Sequence, residues 1–393
     1  MSSKDDTEKR IKRQERTFRI LRPLLSPFMR GIVNYSFEAI PEVEGPYLLL
    51  CNHNTDLDPL LLSMSSKRAL SFVATEKITR MGLIGKLAVT LADPILHRKG
   101  KNGKKTILSI LARLKEGRSV AMFPEGNRSF NGLSCEMSKT NARLIQSSGC
   151  TLITYKLEGG YFTSPRWGKG IRKGRMRGKL SGVYSPEVFK EMTLDKINEL
   201  LRKDLFVDAY ADQKADPVKY RGKRMAEGIE SAVFMCPECG KIGTLKSLGN
   251  EVTCDCGFKA AYDDYGYLVK TDGTRHTVTE LDTYQREKLS ELVSLDMADP
   301  LFTDSVTVNV INIQHKVTSQ KEAELSAFPD RLVIDGEEYP FEKIEGVAVH
   351  RKNLLIVNIK EKEDHFEFTG SKSFSALKYV YLFKIYQASL IQP

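Results

Sequence analysis

The chain has 393 residues, 41% hydrophobic and 28% charged, with 60 Lys/Arg against 50 Asp/Glu for a net charge of +10. That length exceeds one ordinary core, so two or three domains are expected, of soluble or peripheral globular type. No stretch reaches the roughly 18 uncharged apolar residues of a spanning helix, and no apolar core with a cleavage site follows the charged N-terminus, so neither a transmembrane span nor a signal peptide is expected.

Residues 1–30 carry nine Lys/Arg and four Asp/Glu. Phe18, Leu21, Leu25, Phe28 and Ile32 interleave with Arg19, Arg22 and Arg30, and Pro23 and Pro27 interrupt the run. Residues 1–40 therefore read as a basic amphipathic segment lying in a membrane interface. Pro46–Cys51 is short, apolar and uncharged, which suits a buried parallel strand. It ends at Asn52-His53-Asn54-Thr55-Asp56-Leu57-Asp58-Pro59. Asp58-Pro59 reads as a helix start, with Asp58 as N-cap and Pro59 at the first helical position. His53 then sits on a strand-to-helix loop, where sheet proteins place chemistry. Asp58 can fold back onto one ring nitrogen, fixing the tautomer and leaving the other nitrogen as a general base. This is the logic of a Ser-His-Asp triad, with a substrate hydroxyl in place of the serine. Asp56 is a second carboxylate within reach.

A helix is expected over Lys105–Glu116, stopped by Gly117, and a second buried strand over Val120–Phe123. Glu125-Gly126-Asn127-Arg128 turns sharply after it. Gly126 permits positive φ, Arg128 offers a planar fork for a phosphate, and Glu125 can orient Arg128 or bind a hydroxyl. Glu158–Ser185 is glycine-rich and basic, with seven Lys/Arg and no acid over 166–179. Helices are expected near 194–209 and 281–295.

Four of the seven cysteines cluster as Cys236-Pro-Glu-Cys239-Gly and Cys254-Asp-Cys256-Gly, fourteen residues apart. Each pair reads as a knuckle whose second cysteine precedes a glycine, and the spacing suits a zinc ribbon. No base or open coordination position accompanies the sulfurs, so the zinc is expected to be structural, a staple for a domain too small for its own core. Disulfides and a mononuclear iron site are the alternatives; nothing suggests export. Cys51, Cys135 and Cys150 read as free thiols. From Ser305 short strand-like runs appear at 306–310, 331–334, 346–349 and 354–357, with a final helix near 374–387.

Taken together, the His53-x4-Asp58 pair and Phe123-Pro-Glu-Gly-Asn-Arg-Ser129 resemble the glycerolipid acyltransferases, the lysophosphatidic acid and glycerol-3-phosphate acyltransferase type, over about 20–215. The resemblance implies His53 as base and Asp58 as its orienting group. It also implies that Arg98, in Ala92-Asp-Pro-Ile-Leu-His-Arg98, holds the acceptor phosphate with Arg128, beside Glu125 and Gly126. Asn127 stands where the family usually has threonine, and Thr154 where it usually has proline. The strands from 305 with their terminal helix resemble the pleckstrin-homology-like fold in pattern only.

The expected organisation is an interfacial segment (1–40), an α/β acyltransferase domain with a mixed sheet covered by helices (41–228), a zinc ribbon (229–265), a helical linker (266–304) and a β-rich, pleckstrin-homology-like domain (305–393). The expected function is transfer of a fatty acyl group from acyl-CoA or acyl-carrier-protein to a lysophospholipid hydroxyl, with 1-acylglycerol-3-phosphate as acceptor, in phospholipid biosynthesis. The expected setting is the anionic, cytoplasmic face of a membrane. A zinc-ribbon nucleic-acid-binding protein is the rival that a basic chain allows, but it leaves both motifs unexplained, and no nucleic acid is expected. An adaptor that binds lipid without turnover would not require the His53–Asp58 pair.

Overall fold

The structure is a computed structural model that describes residues 3–80, 82–97, 103–293, 299–314 and 316–390. Contacts divide it into two units, one reaching residue 222 without 166–170, the other running from 223 onward and including 166–170.

In the first unit a long helix, α1 (Ser3–Val33), precedes β1 (Tyr35–Phe37) and β2 (Tyr47–Cys51). Then come α2 (Asp58–Ser65), β3 (Ser71–Thr75), α3 (Gly82–Ala92), β4 (Ile95–His97), α4 (Lys104–Lys115) and β5 (Val120–Met122). The unit closes with α5 (Thr140–Ser148), β6 (Thr151–Glu158), α6 (Gly160–Thr163), β7 (Met176–Tyr184), α7 (Pro186–Lys190), α8 (Leu194–Leu205) and α9 (Ala209–Ala215). The sheet order is β1-β7-β6-β2-β5-β3-β4, parallel throughout except between β6 and β7. This is the expected mixed sheet covered by helices.

β2 lies at its centre and is wholly buried. Side chains alternate across a strand, so Tyr47, Leu49 and Cys51 enter a core with Met29 and Val33 of α1 and Leu61 and Leu62 of α2. Leu48 and Leu50 enter a second core with Ile110 and Leu114 of α4 and Ile197, Leu201 and Leu205 of α8. Both faces are covered, which is why β2 reads as a continuous apolar run. β2 and β5 are parallel neighbours, with Leu50 opposite Met122. The loops that follow them therefore leave the sheet side by side, and these loops carry the two motifs.

α1 runs through Pro23 and Pro27, the prolines that interrupt its apolar run. Proline removes a donor and crowds the preceding turn, but tertiary contacts hold this helix on either side. Gln14 donates to Leu70 O and Ala92 O, the Arg22 guanidinium donates to Met64 O, and Met29 and Val33 are buried.

The second unit begins with the antiparallel meander β8 (Leu245–Leu248), β9 (Glu251–Cys254), β10 (Lys259–Tyr262), β11 (Leu268–Lys270) and β12 (Arg275–His276). Helix α10 (Val278–Val293) follows, then seven strands: β13 (Phe302–Ile311), β14 (Val317–Ala327), β15 (Arg331–Ile334), β16 (Glu337–Pro340), β17 (Ile344–His350), β18 (Leu354–Ile359) and β19 (His365–Gly370). They form one antiparallel sheet in the order β16-β15-β14-β13-β19-β18-β17, followed by α11 (Ala376–Ser389). This half is β-rich with one terminal helix, as expected. The sequence pattern missed β14, β16 and β19. β14 is exposed over its first six residues, so half of it lacks the alternation that marks a strand.

Candidate active site and metal centre

The loop after β2 is clamped to the end of β6. Asn52 Nδ2 donates to Leu157 O at 2.9 Å, Leu157 N donates back to Asn52 Oδ1 at 2.7 Å, and Asn54 Nδ2 reaches the same carbonyl at 3.1 Å. Between these two asparagines, His53 projects with its side chain 21% exposed, enough for a substrate to reach it.

His53 Nδ1 lies 2.9 Å from Asp58 Oδ2. A carboxylate only accepts, so Nδ1 carries the proton and Nε2 keeps its lone pair. Asp58 is fully buried. Its Oδ2 also accepts from Asn54 N at 2.7 Å and Thr55 N at 2.9 Å, and its Oδ1 accepts from Thr55 Oγ1 at 2.6 Å. Asp58 is therefore not the helix cap that its place before Pro59 suggests. The N-cap is Leu57, and Asp58 turns back into the loop because four donors converge there.

The second motif meets the first through main chain and ring. Phe123 stacks on the His53 imidazole, centroids 4.2 Å apart and planes 16° off parallel. Glu125 Oε1 accepts the His53 N–H at 2.9 Å, and Oε2 accepts the Cys135 N–H. Burial pushes the Glu125 carboxyl up to about 8, against the two N–H donors and with the help of nearby Asp58. Glu125 thus ties the His53 backbone to the loop at Cys135. Gly126 has φ +64°, and its N–H donates to Phe123 O at 3.0 Å, closing the turn. That N–H is committed to the turn rather than open to an oxyanion. Arg128 is buried and faces the exposed Asp56 carboxylate at 3.3 Å.

Arg98 lies outside the described residues. Its neighbour His97 bonds Thr106 Oγ1 through Nδ1. Thr154, at the place of the family's proline, is buried on β6 and donates to Asp204 Oδ2 at 2.5 Å, where Tyr184 OH also donates. Asp204 of α8 thus satisfies a hydroxyl that proline would not have brought. Asn52, Asn54, Thr55 and Phe123 were given no site role from sequence. The asparagines flanking His53 were the available signal, since short polar side chains hold loops by bonding main chain.

The four clustered cysteines converge in the second unit. Their sulfurs all lie within 4.8 Å of one another, with Cys236–Cys256 at 3.7 Å and Cys239–Cys254 at 3.9 Å. These are not disulfide distances, and the four are free thiols. Sulfurs placed ~2.3 Å from one tetrahedral ion would be ~3.8 Å apart. Gly240 and Gly257 have φ +69° and +101°, and each donates its N–H back to Cys236 O or Cys254 O. A set of four thiolates fits a structural zinc.

Residues 32–158 match the family model described as Acyltransferase. No curated protein matches the chain significantly. Among solved structures, the crystal structure of the 1-acyl-sn-glycerophosphate (LPA) acyltransferase PlsC from Thermotoga maritima is similar at 16% identity, over 55% of this chain and 84% of that one, with a TM-score of 0.40. A structure of the Vav1 exchange factor, whose PH and C1 domains it concerns, is similar at 11% identity, over 29% of this chain and 35% of that one, with a TM-score of 0.19. At these TM-scores neither likeness decides the fold or the chemistry. The family match spans both motifs, and the segment 32–158 is an acyltransferase-family domain, as the motifs imply.

Proposed function

We propose that the chain transfers a fatty acyl group from an acyl-CoA or acyl-carrier-protein thioester to the hydroxyl of a lysophospholipid, with 1-acylglycerol-3-phosphate as acceptor. The observation that carries this reading is the 2.9 Å contact from His53 Nδ1 to the buried Asp58 carboxylate inside an acyltransferase-family segment. Nε2 takes the acceptor hydroxyl proton as the oxygen attacks the thioester carbonyl. The C–S bond then breaks, and the proton passes to the leaving thiolate. Asp58 stabilises the imidazolium formed between these steps. Arg128 binds the acceptor phosphate, which displaces the exposed Asp56 from its guanidinium.

Cys236, Cys239, Cys254 and Cys256 would hold a zinc ion that cross-links the two knuckles; it takes no part in the reaction. Membrane attachment is peripheral. Among the described residues no helix is long and apolar enough to cross a membrane. α1 presents Ile20, Leu21 and Leu24 outward beside Arg16 and Arg19, and Leu83 of α3 is also exposed. Apolar residues flanked by cations suit the boundary of an anionic bilayer.

The test is to incubate purified protein with acyl-CoA and acyl-carrier-protein donors against 1-acylglycerol-3-phosphate, glycerol-3-phosphate and lysophosphatidylcholine. Phosphatidic acid formed from 1-acylglycerol-3-phosphate at the highest kcat/KM supports the reading; acylation of none of the three contradicts it.

A further inference from the structure

Thr55 meets Asp58 through three separate groups. Its N–H donates to Asp58 Oδ2 at 2.9 Å, its carbonyl accepts the Asp58 N–H at 3.3 Å, and its hydroxyl donates to Asp58 Oδ1 at 2.6 Å. Both residues are fully buried. The direction of the hydroxyl bond is fixed. A carboxylate only accepts, and Thr55 Oγ1 itself accepts the Leu57 N–H at 3.0 Å, so the hydroxyl proton goes to Oδ1.

A loop threonine has an ordinary task, which is to accept a main-chain N–H two residues on. Thr55 performs it for Leu57, but that task does not require its proton to face a buried carboxylate. The two oxygens of Asp58 are held in different ways. Oδ2 carries His53 Nδ1 and the N–H groups of Asn54 and Thr55. Oδ1 has the Thr55 hydroxyl as its one donor among the described residues. The last torsion of an aspartate side chain is broad. Without a donor on Oδ1 the carboxylate plane can turn and carry Oδ2 off the imidazole, and a buried charged oxygen is left unanswered.

The rotamer of Thr55 is itself supported. A β-branched side chain is stiff at χ1, and the Thr55 methyl packs against the first residue of α6. A Cβ added to Gly160 would lie 3.1 Å from Thr55 Cγ2 and 2.8 Å from Asn54 Cβ. Glycine at that place lets α6 close on the loop. With the methyl held there, the hydroxyl stays turned to Asp58.

We infer that Thr55 is a positioning residue for acyl transfer: its hydroxyl fixes the plane of the Asp58 carboxylate and so the orientation of the His53 imidazole. It acts through Asp58 and takes no proton from the substrate. The inference rests on the acyl-transfer reading above.

Thr55→Val keeps the shape of the side chain and removes the hydroxyl. Thr55→Ala also removes it and takes the place of the valine variant if thermal unfolding shows that one not to fold. Thiol release from acyl-CoA is followed with 1-acylglycerol-3-phosphate as acceptor. Loss of a hydrogen bond to a charged group should lower kcat about tenfold or more, with both KM values within about twofold of wild type. Thr55→Ser keeps the hydroxyl and should recover most of the lost rate. In an Asp58→Asn background the same substitution should cost about threefold or less, because the charge it answers is gone, whereas a purely structural role would add in full. NMR of the His53 ring nitrogens, assigned against His53→Ala, reads the effect without turnover: the Nδ1 resonance should be displaced when the hydroxyl is removed and return in Thr55→Ser. A wild-type kcat in the folded variant without the hydroxyl, a loss that serine does not recover, or an equal loss in the Asp58→Asn background overturns the inference while acyl transfer stands. Wild-type protein that acylates no acceptor defeats the acyl-transfer reading instead. The Nδ1 resonance then decides the role of Thr55 alone: displacement supports its hold on Asp58, and an unmoved resonance overturns it.

Discussion

Replacing Asp58 by asparagine separates charge from architecture. The carboxylate has three donors on Oδ2 and one on Oδ1. Asparagine can keep its carbonyl oxygen at the three-donor position and turn its NH2 toward Thr55 Oγ1. That hydroxyl already accepts the Leu57 N–H at 3.0 Å and can accept a second bond in place of donating one. No buried N–H is orphaned, so the loop should hold its shape. What is lost is the charge behind the His53 bond. A hydrogen bond to a charged group contributes about 1–2 kcal/mol more than a neutral one, or about 5–30-fold in rate. Loss of the whole general-base contribution, about 10²–10⁴-fold, is the ceiling. Asp58→Ala differs: it strands the Asn54 and Thr55 N–H groups in a buried loop at about 1–3 kcal/mol each. The expected result in an assay of thiol release from acyl-CoA is a kcat for Asp58→Asn lowered within that range, with a melting temperature close to wild type. Asp58→Ala should lose both. Turnover by Asp58→Asn within threefold of wild type, or a melting temperature as low as that of Asp58→Ala, would refute the reasoning.

Glu125 makes stability depend on pH. Its carboxyl is raised from 4.5 to about 8, chiefly by burial. Below about pH 4.5 both folded and unfolded states are protonated; between there and about pH 8 only the unfolded state ionises, so stability falls through that window at roughly 1 kcal/mol per pH unit. Glu125→Gln should lose less melting temperature than wild type between pH 5 and 8, and parallel losses would contradict the assignment. Elemental analysis should find about one zinc per chain, and chelation should expose four more titratable thiols; a native mass showing disulfides among Cys236, Cys239, Cys254 and Cys256 would exclude the metal. Ile20→Glu with Leu24→Glu should reduce co-sedimentation with anionic vesicles while leaving the melting temperature unchanged, because both side chains point outward. Deleting residues 1–33 is a poorer test, since it also removes buried Met29 and Val33.

What the sequence made legible was local or carried by spacing. The apolar runs at Tyr47–Cys51 and Val120–Met122 are strands because they are buried on both faces, and that burial leaves a mark on composition. The knuckle glycines follow from the φ values that a tight turn needs. Contacts closed by tertiary structure were not legible. Glu125 bonds the main chain of His53, 72 residues away, a partner that no local pattern specifies, so its side chain read instead as orienting Arg128 or binding a hydroxyl. Asp58 before proline looks like a cap, and only the folded loop shows four donors drawing it inward. Thr154 stands where the family usually has proline, and the partner of its hydroxyl, Asp204, lies 50 residues away where no local pattern points to it. That α1 continues through Pro23 and Pro27 depends on packing on both sides of them, which a linear pattern does not show.

The central claim is that His53 is the base for acyl transfer. The most direct measurement follows labelled acyl groups from acyl-CoA into phosphatidic acid, using 1-acylglycerol-3-phosphate as acceptor, for wild type and His53→Ala side by side. Wild-type protein should form the labelled product, and His53→Ala should form it roughly 10²–10⁴-fold more slowly with an unchanged melting temperature. Product formation by a folded His53→Ala at close to the wild-type rate would contradict the account.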